Sequence, residues 1–76
     1  MMKKFKTDKR MKLILIRTEK GLSQTDVAKE LGVSLTTYCF LETGRSNGTL
    51  TLWAKLQKVF GIKDEDMWKV INPKAI

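Results

Sequence analysis

Side chains suited to acid–base or nucleophilic chemistry are few in this sequence. Its only acidic run is Asp64, Glu65 and Asp66, and adjacent residues on a helix point in different directions, so they cannot act on one substrate together. They are better explained as the acidic start of a helix. No histidine is present to activate a serine or the single cysteine, Cys39, and the glycines stand isolated rather than in a phosphate-binding loop. We therefore expect no enzyme activity and no cofactor.

The same residue counts argue against metal and disulfide chemistry. One cysteine cannot form an intramolecular disulfide, and without histidine a zinc site lacks its usual ligands. Because Cys39 has no basic neighbour, we expect an ordinary thiol rather than a redox sensor. The longest apolar run, residues 13–16, is far shorter than the roughly 18 residues of a membrane span. We expect a cytoplasmic protein, in the bacterial cytosol or nucleoid, with no metal and no membrane partner.

The charge of the chain points to a polyanionic partner. The formal net charge is +7, which favours nucleic acid ahead of an anionic membrane surface. Residues 1–6 read as a flexible basic arm, although a lysine-rich start is also typical of a solubilising tail. Eight of the fifteen lysines and arginines precede Gly21: Lys3, Lys4, Lys6, Lys9, Arg10, Lys12, Arg17 and Lys20.

Hydroxyl residues that can cap helices alternate with glycines that can end them, and this pattern predicts five helices and no strand. We expect one domain over residues 7–72, followed by a tail at 73–76. The predicted helices run from Thr7 or Asp8 to Lys20, from the cap Ser23 to Gly32, from the cap Ser34 to Thr43, from Thr49 to Gly61, and from Asp64 to about Ile71. Their inward residues are Leu13 and Ile16; Val27, Ala28 and Leu31; Tyr38 and Leu41; Leu52, Trp53, Leu56, Val59 and Phe60; and Met67, Trp68 and Ile71.

The second and third predicted helices are separated by a tight turn at Gly32, which is the arrangement of a helix-turn-helix. Such a pair can place its second helix in the major groove of DNA. At about 100° per residue, an inward face centred on Tyr38 and Leu41 leaves four side chains pointing outward: Thr36, Cys39, Phe40 and Thr43.

Residues 21–34, GLSQTDVAKELGVS, followed by Tyr38 and by LETGR at 41–45, resemble the helix-turn-helix domains of phage repressors and Cro proteins, the Xre-like family. The resemblance extends over about residues 13–62. It implies an all-α, five-helix, lambda-repressor-like domain that binds double-stranded DNA sequence-specifically as a transcription regulator.

The resemblance also implies site residues. Arg17 and Glu42 correspond to an ion pair that ties the first helix to the end of the third. The positions expected to contact bases are Leu35, Thr36, Cys39 and Phe40. Gln24 is the phosphate contact that the resemblance implies. We also expect phosphate contacts from Ser34, because helix N-termini bind phosphates readily, and from Thr37, Thr43, Arg45 and Asn47.

Two departures from the family pattern affect these expectations. Gly48 replaces the proline that usually precedes the fourth helix, so we expect a looser loop there. Leu35, Cys39 and Phe40 replace polar side chains, so specificity would rest on thymine methyl groups and DNA shape, with hydroxyls from threonine. An alternative interpretation is that Leu35 and Phe40 form a protein-binding patch, as in an antirepressor or antitoxin-like protein that captures another repressor.

A chain of this length buries a small core, so a partner subunit would add stability. Trp53, Phe60, Met67 and Trp68 are simpler to explain as core than as a ligand pocket, with any surplus forming a dimer surface. We expect a homodimer that pairs through the fifth helix and the end of the fourth, with Met67, Trp68 and Ile71 at the interface.

Overall fold

The computed structural model describes residues 9–72, and within that range the fold consists of helices joined by short turns, without a strand. The all-α prediction is therefore confirmed. The helices are α1 (Met11–Glu19), α2 (Gln24–Leu31), α3 (Leu35–Thr43), α4 (Leu50–Phe60) and α5 (Met67–Ile71), with a 3₁₀ turn at Asp64–Asp66 before α5. None of these helices is long and apolar enough to cross a bilayer. The basic arm with Lys3, Lys4 and Lys6, and the tail that begins at Pro73, lie outside the described residues.

Side-chain caps start the central helices where the sequence predicts them. Ser23 Oγ accepts a hydrogen bond from the Asp26 amide at 3.0 Å, and the Asp26 carboxylate accepts one from the Ser23 amide at 2.9 Å, which completes a capping box. The bond from the Ser23 amide lowers the pKa of Asp26. Ser34 and Thr49 cap α3 and α4 with a side-chain oxygen. Each oxygen accepts a hydrogen bond from the backbone amide three residues later, at Thr37 and Leu52.

The first helix starts later than predicted. Lys9 and Arg10 are not helical, and α1 begins at Met11 rather than at Thr7 or Asp8. The reason is a tertiary contact: the Arg10 amide donates to the carbonyl oxygen of Glu42 at 2.8 Å. This bond draws the chain along the end of α3 before the helix can begin.

The fifth helix buries a residue that the sequence analysis did not select. Val70 is buried at 1% exposure, whereas Trp68, predicted to face inward, is 58% exposed. A 3₁₀ turn has three residues per turn, so its presence before α5 rotates the positions that follow relative to a continuous α-helix. Met67 and Ile71 pack against the core from half-buried positions.

The core lies where all five helices meet. It contains the predicted inward residues of α1 to α4, with Ile16, Leu52 and Val59 only partly buried against it. The fully enclosed members include Tyr38 and Leu41 of α3, so the inner face of that helix is fixed by packing. The core residues are Leu13, Val27, Ala28, Leu31, Tyr38, Leu41, Trp53, Leu56, Phe60 and Val70.

Arg10 departs most from expectation: it is one of the basic residues before Gly21 whose charge favours a polyanionic partner, and the structure buries it at 3% exposure. Its guanidinium donates to the carbonyl oxygens of Ile71 at 2.6 Å, Leu41 at 2.6 Å and Ser46 at 2.8 Å. It also lies 5.2 Å from the ring centroid of Trp53. Burial lowers the pKa of Arg10. One side chain thus joins the end of α3, the following loop and the end of α5.

We expect Arg10→Lys to lower the Tm by roughly 4 to 20 °C. A lysine ammonium lacks the planar fork needed to reach three carbonyl groups, and buried carbonyls without a partner cost about 1 to 3 kcal/mol. Thermal unfolding followed by circular dichroism measures the change. Lys12→Arg, at an exposed position of α1, is the control and should leave the Tm nearly unchanged. Equal melting of Arg10→Lys and the parent would show that the three bonds contribute nothing.

Candidate nucleic-acid interface

Helices α2 and α3 form a compact pair with a short turn between them. Gly32 adopts the left-handed conformation, with φ of 73°, and its backbone amide donates to the carbonyl oxygen of Lys29. Val33 and Ser34 complete the turn, and Ser34 caps α3 at once. The turn therefore ends α2 and starts α3 within three residues, and residues 34–37 at the N-terminus of α3 are exposed.

A buried carboxylate holds the far end of α3. Glu42 is 2% exposed, and its two oxygens receive bonds from Arg17 Nε at 2.5 Å and Nη2 at 3.3 Å. Gln24 Nε2 donates to the same carboxylate at 2.8 Å. The hydrogen bond to Glu42 raises the pKa of Arg17, which keeps the guanidinium charged. We name Arg17, Gln24 and Glu42 the Glu42 cluster; it joins α1, α2 and α3.

Gln24, which the family resemblance makes a phosphate contact, is also bonded within the protein. Its amide nitrogen donates to Glu42, and its amide oxygen accepts a bond from Cys39 Sγ at 3.4 Å. One hydrogen of the amide nitrogen is left for a further contact. Cys39, which the helical spacing placed outward for base contact, is half-buried against Gln24 instead.

Beneath the Glu42 cluster lies the hydroxyl of Tyr38, a residue with no exposed surface. Burial, with Glu42 nearby, raises the pKa of this phenol far above its ordinary value. Among the described residues the hydroxyl has no hydrogen-bond partner. Tyr38 therefore acts as packing for α3 and stays neutral.

The outer face of α3 is open to solvent and partly apolar. Leu35 is 45% exposed and Phe40 is 38% exposed, and Thr36 is exposed with them. At the start of the helix the Ser34 hydroxyl donates to Thr37 Oγ1 at 2.9 Å, so these two predicted phosphate contacts lie together. The hydroxyl of Thr43, at the other end, donates back to the carbonyl oxygen of Phe40.

The loop at 45–48 is held by hydrogen bonds, so the expectation that Gly48 loosens it is wrong. The Ser46 amide donates to the Phe40 carbonyl at 3.1 Å, and Trp53 Nε1 donates to the Asn47 carbonyl at 2.8 Å. Gly48 has a φ of 73°, and a Cβ there would lie 2.7 Å from Trp53 Nε1. Glycine is needed because the backbone runs directly over the indole.

Residues 13–67 match the family described as helix-turn-helix. This chain belongs to that family. An uncharacterized HTH-type transcriptional regulator of Methanocaldococcus jannaschii is 42% identical over 57 residues, which cover 75% of this chain and 86% of that protein. A second protein with the same description, from Archaeoglobus fulgidus, is 38% identical over 52 residues, covering 68% of this chain and 74% of the relative. No solved structure matches the chain significantly.

The helix-turn-helix brings most of the predicted site residues to one side of the molecule. Ser34, Thr36 and Thr37 lie on the first turn of α3. Phe40 lies one turn further along, with Arg45 over its ring: the guanidinium carbon is 5.3 Å from the ring centroid. Sequence reasoning missed this stack, the role of Arg10 and the bonds of Gln24. The one signal for the stack was Gly44, which turns the chain back over the helix it ends.

We expect Glu42→Ala to destabilise the helix-turn-helix by about 3 to 5 kcal/mol, because it leaves the largely buried Arg17 guanidinium without its anion. The Tm should fall by roughly 10 °C or more in thermal unfolding. Glu42→Gln keeps the shape of the side chain and one acceptor oxygen, so it should lower the Tm less. Glu30→Ala, an exposed glutamate of α2, is the matched control. A Glu42→Ala protein that melts within a degree or two of the parent would contradict the role given to this carboxylate.

Proposed function

We propose that this chain is a sequence-specific regulator of transcription that binds double-stranded DNA with α3 in the major groove. The observation that carries the proposal is the exposed face of α3 with Leu35, Thr36 and Phe40, presented beyond a short turn while the other face is buried. The net charge of +7 suits a polyanion. The family and the HTH-type regulators among its relatives support the same conclusion.

Contacts to the DNA backbone come from the two ends of α3 in this proposal. The N-terminus of α3 provides a positive dipole end for a phosphate, and the Thr37 hydroxyl, which accepts the hydrogen of Ser34, provides the donor. Asn47 and Thr43 serve the phosphates at the opposite end, beside Arg45. Gln24 acts first through the Glu42 cluster, where one hydrogen of its amide nitrogen is bonded to Glu42, and the second hydrogen is the donor that it offers to a phosphate.

Contacts to the bases come from side chains that carry methyl groups and rings. Leu35 and Phe40 offer apolar surface to the C5-methyl group of thymine, and Thr36 adds a hydroxyl. Cys39 lies behind them and supports Gln24. We assign the protein the action of a Cro-like repressor that occupies DNA in the cytoplasm, and we assign it no catalytic step.

We further propose that the regulator binds DNA as a C2 homodimer. A groove of about 240 Å³ lies between α4 and α5, and its lining is mostly apolar, with Leu50, Met67 and Ile71 beside the polar Gln57 and Asp64. Leu50 is 88% exposed at its rim, and Trp68, the residue of α5 that follows Met67, is 58% exposed. Exposed large apolar side chains favour burial against a second copy. The proposed dimer face therefore includes the start of α4, at Leu50, as well as α5.

For the function, we expect selection from random duplexes to yield a preferred operator. Thr36→Ala and Phe40→Ala should each weaken operator binding by about 1 to 3 kcal/mol and change binding to random duplexes little, because base contacts carry the sequence information. Competitive fluorescence titrations at fixed salt measure both affinities. Thr18→Ala, an exposed threonine of α1, is the matched control.

Operator affinity that is the same in Thr36→Ala, Phe40→Ala and the parent would contradict the placement of α3. A parent protein that selects no sequence, while Leu35→Ala and Phe40→Ala abolish binding to another repressor, would favour the antirepressor interpretation.

For the assembly, we expect a dimer whose two α3 helices contact half-sites about 34 to 36 Å apart, one turn of DNA. Trp68→Ser and Leu50→Ser should raise the dimer dissociation constant without lowering the Tm of the monomer, because both side chains are exposed in one subunit. Sedimentation equilibrium measures the mass. A monomer at every concentration, free and on a two-half-site duplex, would refute the dimer.

A further inference from the structure

The stack of Arg45 on Phe40 places a guanidinium beside the apolar part of the outer face of α3. The guanidinium carbon of Arg45 lies 5.3 Å from the centroid of the Phe40 ring, and both side chains are exposed. Within residues 9–72 Arg45 has no ion pair and its side chain makes no hydrogen bond to the protein, so its donors are available to a ligand. A guanidinium over an aromatic ring is held with its plane oriented.

The backbone around Arg45 is fixed, so this placement is built into the fold. Gly44 turns the chain in the left-handed conformation, with φ of 83°. The next residue, Ser46, donates its amide to the carbonyl oxygen of Phe40 at 3.1 Å and accepts a bond from the buried Arg10 at 2.8 Å. Arg45 is therefore held between two anchored residues directly above the helix turn that carries Phe40.

The outer face of α3 otherwise has few groups that can form hydrogen bonds to bases. Leu35 and Phe40 are apolar, and Cys39 is turned toward Gln24. Arginine donating to the O6 and N7 atoms of guanine is the commonest specific contact in the major groove, and an apolar side chain against a pyrimidine methyl is the usual way to detect thymine. The stack puts one group of each kind side by side.

We propose that Arg45 and Phe40 together recognise a step in which a 5-methylpyrimidine is followed by guanine, with Arg45 bonded to the guanine and Phe40 against the methyl group. This assignment rests on the proposed function and gives Arg45 a role in specificity instead of the phosphate contact expected from the sequence. Thymine and 5-methylcytosine carry the same methyl group, so the experiment must compare both.

The test starts from duplexes selected from a random pool by the parent protein and then measures affinities for the selected sequence with the step changed to TG, UG, CG or 5-methyl-CG. We expect a TG step in the selected sequence. The UG and CG duplexes lack the methyl group and should bind roughly four-fold more weakly, which is the contribution of one buried methyl group. The 5-methyl-CG duplex should restore the affinity of the TG duplex.

The variants separate the two side chains. Arg45→Ala should reduce the preference for guanine over adenine at that step by about 5- to 150-fold. Arg45→Lys should reduce the preference less, since lysine can still donate to guanine but loses the planar fork that stacks on Phe40. Phe40→Leu keeps apolar bulk and removes the ring face, so it should weaken the guanine preference in part. Lys63→Ala is the matched control for loss of a positive charge; Lys63 lies beyond the other end of α4, roughly 16 Å from the loop 45–48 along that helix.

Two results overturn the assignment, and they differ. If the parent selects an operator but Arg45→Ala weakens selected and random duplexes alike and lowers the slope of log affinity against log salt by about one, Arg45 is a phosphate contact and this assignment alone fails. If the parent selects no sequence, the proposed function fails and the assignment with it. Because Arg45 is exposed, each variant should retain the parent Tm, and the measurement of Tm shows that lost selectivity does not reflect unfolding.

Discussion

The buried carboxylate of Glu42 is the constraint on which the rest of the domain depends. An ionised group at 2% exposure is tolerated only with partners, and here they come from two other helices: Arg17 of α1 and Gln24 of α2. The backbone carbonyl of the same residue accepts the Arg10 amide, which decides where α1 begins. The end of α3 is thereby tied to three segments of the chain, and its outer face is free for DNA.

Arg10 extends this arrangement to the second half of the domain. A guanidinium without a described carboxylate partner is buried because it satisfies three carbonyl groups, at the end of α3, in the loop 45–48 and at the end of α5. Those carbonyls include one at each of two helix ends, where a positive charge also complements the helix dipole. The loop that carries Arg45 and the helix that carries the proposed dimer face are thus attached to the same side chain. A domain with such a small core gains much of its order from these polar contacts.

The sequence predicts the elements of this fold well because their signals are local. Ser23, Ser34 and Thr49 start helices through their own neighbours, and Gly32 and Gly61 end them. The pairing of Arg17 with Glu42 came from the family resemblance and is present in the structure. Features that depend on tertiary contacts could not be predicted from local patterns. In sequence, the buried Arg10 cannot be distinguished from a surface arginine. The 3₁₀ turn, after which Val70 is buried in place of Trp68, follows from packing. The bonds of Gln24 and the stack of Arg45 on Phe40 depend on residues brought together only by folding.

The central claim is that the Glu42 cluster presents the outer face of α3 to the major groove, and an amide NMR titration with a single half-site duplex tests it most directly. A half-site duplex does not bring two subunits together on one DNA, so shifts caused by DNA-induced dimer formation do not contribute. We predict the largest changes at residues 34–37 and 40–47, with the amides of α5 and of the second half of α1 nearly unchanged. Changes centred on α5 or α1, with α3 unaffected at saturating duplex, would contradict this account.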